Sequence, residues 1–326
     1  MIYSGKRILV TGGLGFIGSN LAVRLARDGA QVTVIDSAVR GCGANWFNLE
    51  PFSARMNVIN DDIGTLLTYC HAIEGTAVVF NMAGEISHIN SMRDPVRDLE
   101  LNTVSQLRFL LALREICPGV RVVYASTRQV YGVPQFLPIN EAHPINPIDF
   151  NGIHKHAAAS YHRLLTASGE IEASILRLTN VYGPRMALNI PEQGVLGHFF
   201  RRALLGEDIE VFGDGKQLRD PVYIDDIVEA FLLAGSRKGL PATNMNVGGR
   251  DALPLAEMAR ILAAEGGGKV RFRPFPEGHK AIDIGSFSTD NSFIRETLGW
   301  EPRIAFEEGA RRTLAFYREH REHYLP

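Results

Sequence analysis

Apolar and polar positions follow two periods along the chain. Short apolar runs, rich in β-branched residues, recur at 7–11, 31–35, 55–59, 76–80, 120–125 and 174–178. Each reads as a strand. Between them lie stretches with apolar residues three and four apart. Leu21, Leu25 and Ala26 mark a helix over 21–28, stopped by Gly29. Val96, Leu99, Leu107, Leu110 and Leu111 mark one over 95–115, and an alanine-rich stretch predicts another over 151–168. Regular alternation of strand and helix predicts an α/β fold with a doubly wound parallel sheet and right-handed crossovers. After Asn180 the spacing becomes irregular, with Gly183-Pro184, Pro191, Gly194 and Gly197. Shorter elements follow: helices at 198–205, 225–233, 254–264 and 307–319, and strands at 209–212, 244–247 and 270–272. We therefore expect a first domain over 1–180, with segments near 220–250 returning to it, and a smaller α/β lobe made mainly from 181–326.

The first strand runs directly into Gly12-Gly13-Leu14-Gly15-Phe16-Ile17-Gly18, which opens a helix, and the second strand ends at Asp36. Gly12 allows a sharp turn. Gly15, lacking a Cβ, lets a pyrophosphate approach the helix N-terminus, and Gly18 lets the helix pack closely on the sheet. Asp36 falls where a carboxylate can bind both ribose hydroxyls of an adenosine. The pattern predicts a Rossmann dinucleotide site; a tight turn in a flavodoxin-like sheet is the alternative. A carboxylate at position 36 repels a 2′-phosphate and so favours NAD over NADP, with Arg40 near enough to weaken that preference. The expected cofactor contacts are Gly12, Gly15, Phe16, Ile17, Gly18, Asp36, Asp62 and Ile63. Asp62 either reaches the adenine amino group or caps the segment that begins near Gly64.

Composition narrows the class. The chain has 326 residues, 45% hydrophobic and 21% charged, an ordinary globular balance, and its net charge of −2 creates no field that would draw nucleic acid or an acidic membrane. Cys42, Cys70 and Cys117 lie far apart without metal-type spacing, so a reducing cytoplasm is expected. A strand beginning at residue 7 leaves no room for a signal peptide, and no apolar run approaches the ~20 residues of a membrane helix.

Several stretches together resemble the extended short-chain dehydrogenase/reductases, in particular those acting on nucleotide sugars. They are Thr11-Gly-Gly-Leu-Gly-Phe-Ile-Gly18, Ala125-Ser-Thr-Arg-Gln-Val-Tyr-Gly132, Leu176-Arg-Leu-Thr-Asn-Val-Tyr-Gly-Pro-Arg185, Phe212-Gly-Asp-Gly-Lys-Gln-Leu-Arg-Asp220, Val222-Tyr-Ile-Asp-Asp226 and Leu298-Gly-Trp-Glu-Pro302. The resemblance implies NAD-dependent chemistry on a nucleotide sugar. It places Thr127 at the active-site Ser/Thr and Lys155 at the lysine of Tyr-x-x-x-Lys, which holds the nicotinamide ribose. It assigns Asn180 and Arg219 to the substrate diphosphate, and Asn102 to tying down the central strands. It also implies a homodimer through the helices near 96–115 and 152–168, with Leu107, Leu110, Leu111, Tyr161 and Leu164 supplying apolar contacts.

Two departures from that pattern matter. The signature tyrosine is replaced by Asn151, which can hydrogen-bond a hydroxyl but cannot take its proton at neutral pH, or can simply cap the helix. The Asp-Glu pair of the 4,6-dehydratases is replaced by Arg128 and Gln129. The expected catalytic set is Thr127, Asn151 and Lys155. His88, Thr127, Asn180, Arg185 and Arg219 are the expected substrate contacts. His88, His154 and His156 are candidate replacement bases, and Glu85 reads as a solvated loop acid. His154, His156 and His162 do not make a metal site, because i and i+2 point to different sides of a helix. The chemistry expected is epimerisation through a transient keto-sugar. A dehydratase or reductase with another base, or a nucleotide-sugar/NAD-binding protein that has lost catalysis, are the alternatives.

Overall fold

The computed structural model describes residues 2–50, 52–190, 194–275 and 284–325. In chain order the strands are β1 (Arg7–Thr11), β2 (Gln31–Ile35), β3 (Met56–Ile59), β4 (Val78–Asn81), β5 (Arg121–Thr127), β6 (Glu172–Leu178), β7 (Asn180–Tyr182), β8 (Ile209–Phe212), β9 (Leu218–Arg219), β10 (Pro221–Tyr223), β11 (Thr243–Val247), β12 (Leu253–Pro254) and β13 (Val270–Arg273). Seven of them form one parallel sheet in the order β11-β6-β5-β4-β1-β2-β3. This is the doubly wound α/β arrangement that the alternation of periods predicts. Successive β1 residues point to opposite faces, so Ile8 and Val10 enter one core cluster and Leu9 the other. Covering both faces is what makes each sheet strand read as a continuous apolar run.

The helices are α1 (Phe16–Arg27), α2 (His88–Arg93), α3 (Pro95–Leu99), α4 (Ser105–Ile116), α5 (Phe150–Ala167), α6 (Val195–Leu205), α7 (Ile224–Ser236), α8 (Leu255–Gly266), α9 (Ser292–Leu298) and α10 (Phe306–Glu319). Parallel pairs β7–β10 and β8–β13 and the antiparallel pair β9–β12 lie outside the main sheet. Phe199 and Phe200 of α6, Met258 of α8 and Leu314 of α10 share one apolar cluster with Ile8 and Val10.

The helix expected over 95–115 is interrupted. Pro95 and the Asp94 side chain, which accepts from Arg97 N at 3.1 Å, start α3, and residues Glu100–Val104 then form a π turn before α4. The wider turn rotates the face that is buried. Val96, Leu99 and Leu111 are consequently exposed, whereas Phe109, Leu110 and Leu113 are buried. Leu110 belongs to the core of the chain itself and cannot supply the dimer contact expected of it. Helix α1 begins at Phe16, five residues before the expected start, which places Gly18 inside it. His88 opens helix α2, capped by Ser87 Oγ accepting from Asn90 N at 3.1 Å.

Candidate functional site

A cleft of about 300 Å3 opens at the carboxyl ends of the parallel strands. It lies across the point where β1 is flanked by β2 on one side and β4 on the other, where the strand order reverses. Residues following β1, β2, β4, β5 and β6 line it, together with Gly194–Gly197 at the start of α6.

At one end the cleft is lined by Gly12, Gly15, Phe16, Ile17 and Gly18. Gly15 precedes α1 with no side-chain cap and no acid in the first turn, so the first N–H groups of α1 await an anion. The close packing requires glycine: a Cβ on Gly18 would lie 2.2 Å from Gly12 O, and Gly12 itself has φ +64°. Asp36, at the end of β2, also lines the cleft. Its carboxylate is held in place by Leu14 N and Ala38 N, each at 2.9 Å. Burial raises its pKa, against the lowering effect of those backbone donors. Asp62 and Ile63 complete the wall. Asp62 is a cap, accepting from Gly64 N at 2.7 Å, and it lines the cleft as well. An uncapped helix start next to a fixed carboxylate fits the diphosphate and ribose of NAD, which these residues would hold.

Thr127, Asn151 and Lys155 all line the same cleft. Thr127 Oγ1 accepts from Gln129 N at 3.2 Å, which leaves its own proton to donate. Lys155 is buried, and burial pushes its pKa down to about 8 against the opposing pull of Asp98 and Glu85. Gly84 makes room for it, since a Cβ there would sit 2.6 Å from Lys155 Nζ and 2.5 Å from Asn102 Oδ1. Asn102 thus faces Gly84 rather than tying the strands together. That task falls to Asn81 of β4, which joins Thr11 at 2.8 Å and Gln106 at 2.7 Å.

Asn151 is buried, and its amide donates to Glu85 O at 3.0 Å and to Asp98 Oδ2 at 3.2 Å. The cap of α5 is Asp149, whose Oδ1 accepts from Gly152 N at 2.6 Å. The capping alternative for Asn151 is therefore replaced by a side-chain contact deep in the site.

Of the expected substrate contacts, His88, Thr127 and Asn180 line the cleft. Arg185 does not: its guanidinium holds Asn48 O at 2.9 Å and Asn20 Oδ1 at 2.8 Å, fastening the chain after β7 to α1 and the segment after β2. Arg219 is absent from the lining too; its Nη1 donates to Leu218 O at 2.8 Å and to Gly285 O at 2.5 Å. Both motif arginines are occupied by main-chain carbonyls that sequence cannot reveal. His154 is not in the lining either, because its Nδ1 pairs with Asp98 Oδ1 at 2.7 Å. No group of three or more His, Cys, Asp or Glu able to hold a metal occurs among the described residues.

Glu85 corrects its reading as a solvated acid. It is buried on the cleft wall, with Oε1 accepting from Ile86 N at 2.9 Å and Ser87 N at 2.8 Å, and Oε2 accepting from Cys42 Sγ at 2.8 Å. Burial, reinforced by Glu85, pushes the Cys42 thiol up to about 12. Asp98 and Asp149 were not singled out from sequence. The spacing of Asp98 four residues before the buried Asn102 is the available signal for the first, and the Asp-x-x-Gly capping position before α5 for the second. Arg128 lines the cleft and stacks over Phe287, 4.9 Å from the ring centroid.

Residues 8–248 match the NAD dependent epimerase/dehydratase family. The chain is 35% identical over 316 residues to UDP-glucose 4-epimerase of Mycolicibacterium smegmatis, covering 96% of this chain and 98% of the relative. Among solved structures it resembles UDP-glucose 4-epimerase of Thermotoga maritima, determined with UDP-glucose, at a TM-score of 0.86 and 29% identity, over 96% of this chain and 99% of that one. It resembles the dTDP-glucose 4,6-dehydratase DesIV of Streptomyces venezuelae, determined with NAD, at a TM-score of 0.87 and 28% identity, over 98% and 99%. Since the family match takes in well over half of the chain, this protein belongs to the NAD-dependent epimerase/dehydratase family and is an NAD-dependent enzyme.

Proposed function

We propose that the protein epimerises a nucleotide sugar by transient oxidation to a keto-sugar followed by reduction. The observation that carries this reading is the cleft wall, which Thr127 and Lys155 both line, while Arg128 and Gln129 stand where a 4,6-dehydratase has an acid and a carboxylate. Bound NAD supplies the acceptor and donor of hydride. Thr127 donates to the sugar oxygen, Asn151 Oδ1 accepts from a sugar hydroxyl, and Lys155 holds the nicotinamide ribose and favours negative charge beside it. Asn180 and His88 contact the sugar diphosphate portion and the sugar. The likeness to UDP-glucose 4-epimerases makes a UDP-hexose the first substrate to try. A second reading, a protein that binds NAD and nucleotide sugar without turning it over, draws on the two acceptors that tie down the Asn151 amide.

The working form in this account is a cytoplasmic homodimer, with the exposed Leu111 and Leu164 on α4 and α5 in its interface. No described helix is long and apolar enough to cross a membrane. The test is rapid mixing of the NAD+-loaded protein with UDP-glucose, UDP-galactose, UDP-glucuronic acid, UDP-N-acetylglucosamine and dTDP-glucose, following dihydronicotinamide fluorescence. Transient reduction by one of them is expected; binding of a sugar without reduction favours the second reading.

A further inference from the structure

Oxidising a sugar alcohol requires a proton acceptor, and Asn151 is not one. Its amide nitrogen is committed to Glu85 O and Asp98 Oδ2, both acceptors, which fixes the amide orientation and leaves Oδ1 as the free end. The carboxylates nearby are engaged. Asp98 is shared between Asn151 and His154, and Glu85 accepts from two backbone N–H groups and the Cys42 thiol. Asp36 and Asp62 lie at the adenosine end, Cys42 has a raised pKa, and Lys155 and Arg128 are cations. The titratable group that remains on the cleft wall is His88.

His88 is the first residue of α2, so Ser87 and the helix fix its backbone. Its Nδ1 lies 3.2 Å from Asp149 Oδ2, within ion-pair distance, and both atoms are buried without a hydrogen-bond partner among the described residues. The Asp149 side chain is 1% exposed, and its second oxygen is pinned by Gly152 N at 2.6 Å. Asp149 opposes its own burial through His88, Gly152 N and Arg128, and its pKa lies below the ordinary value. The result is a buried, ionised carboxylate of fixed position behind an imidazole that faces the cleft. A base oriented by a third group in this way is the arrangement general-base chemistry needs.

We propose that His88 is the acid/base of the reaction and Asp149 its positioning residue. This rests on the function proposed above. The Asp149 carboxylate 3.2 Å from Nδ1 favours a proton on that nitrogen, which leaves Nε2 as the unprotonated atom. The sugar O–H bond breaks and its proton forms an N–H bond at His88 Nε2. The electron pair left on oxygen forms the carbonyl as the carbon yields its hydride to the nicotinamide. On reduction the hydride returns to carbon and Nε2 returns the proton to oxygen, restoring neutral His88. Asn151 Oδ1 and Thr127 hold the hydroxyl in register meanwhile. The elements packed against α2 carry Arg97 and Asp98 of α3 and Asp149, His154, Lys155, His156, Tyr161, His162 and Arg163 at α5, with Arg128 acting on Asp149 from the end of β5.

The test combines nitrogen-15 histidine NMR of the purified protein with single-turnover reduction across pH, using the five nucleotide sugars named above, for wild type, His88→Gln and Asp149→Asn. Asparagine retains an acceptor for Gly152 N, so the cap of α5 survives. The His88 resonance is expected as the Nδ1–H tautomer, and Asp149→Asn is expected to remove that preference. Wild type should show a rate limb falling toward acid. His88→Gln should abolish that limb and slow reduction about 100-fold or more, the usual contribution of a general base. Asp149→Asn should slow reduction, because the imidazole loses the carboxylate that orients it; a merely capping role leaves the rate unchanged. An Nε2–H tautomer in the wild type, or an unchanged rate and limb in His88→Gln, overturns the assignment of His88 while leaving the function intact. Wild-type protein that binds a nucleotide sugar yet never reduces NAD+ overturns the proposed function, and the catalytic role of His88 with it.

Discussion

Asn151 and Asp98, 53 residues apart in the chain, meet at 3.2 Å, where the amide donates to a carboxylate that also receives His154. This contact decides what Asn151 offers a substrate: its nitrogen is spent, and its oxygen is left. Truncating it removes a donor from two buried acceptors. Asn151→Ala is expected to destabilise the protein by about 1–3 kcal/mol, the cost of leaving such groups unpaired, and to lower turnover moderately. Thermal melts beside kcat/KM check this. Full stability with full turnover would show that Asn151 neither braces Asp98 nor orients a hydroxyl.

Asp36 is held toward the cleft by Leu14 N and Ala38 N. Asp36→Arg should weaken NAD binding and relatively improve NADP binding, since the carboxylate that accepts ribose hydroxyls becomes a cation that accepts a phosphate. Calorimetric titration of both cofactors measures it; unchanged NAD affinity would remove Asp36 from the site.

Lys155 carries a pH signature. Its pKa falls from 10.5 to about 8 on folding, so between those values the unfolded chain holds a proton that the folded one has released. Stability from this group therefore rises with pH across that window, and the cost of burying the cation is fully felt below it. Denaturant unfolding of wild type minus Lys155→Met is expected to show that rise between about pH 8 and 10. A flat difference would mean that Lys155 is solvated.

Asp220 titrates in the opposite sense. It is buried, its oxygens lack hydrogen-bond partners among the described residues, and burial pushes its pKa up to about 7 despite Arg128 and Arg219 nearby. The folded state then binds a proton that the unfolded chain has lost, and stability falls as pH rises from about 4 to 7. Asp220→Asn should accordingly raise the melting temperature near neutral and alkaline pH and change it little at pH about 5. An equal effect at both pH values would contradict a neutral buried carboxyl.

What could be read from the sequence divides along physical lines. The sheet, the glycine turn and Asp36 depend on local periodicity and on backbone space, both of which leave marks in adjacent residues. Thr127 and Lys155 were placed by resemblance, and both line the cleft. The π turn at Glu100–Val104 hid from the pattern, because one extra residue per turn changes which face is buried without changing composition. Glu85, Asp98 and Asp149 gain their roles from partners brought close only by the sheet topology. Arg185 and Arg219 show the converse: both were expected to contact substrate, yet they lie outside the cleft lining, Arg185 bonded to Asn48 O and Asn20 Oδ1 and Arg219 to Leu218 O and Gly285 O.

The most direct measurement is proton NMR of the products formed from UDP-glucose, UDP-galactose, UDP-glucuronic acid, UDP-N-acetylglucosamine and dTDP-glucose by the NAD+-loaded protein in deuterated water. The account predicts that one of them is converted to an equilibrium mixture of two sugar epimers of equal mass and redox state, still attached to the nucleotide. Loss of water or carbon dioxide from the sugar, or recovery of all five unchanged after binding, would contradict it.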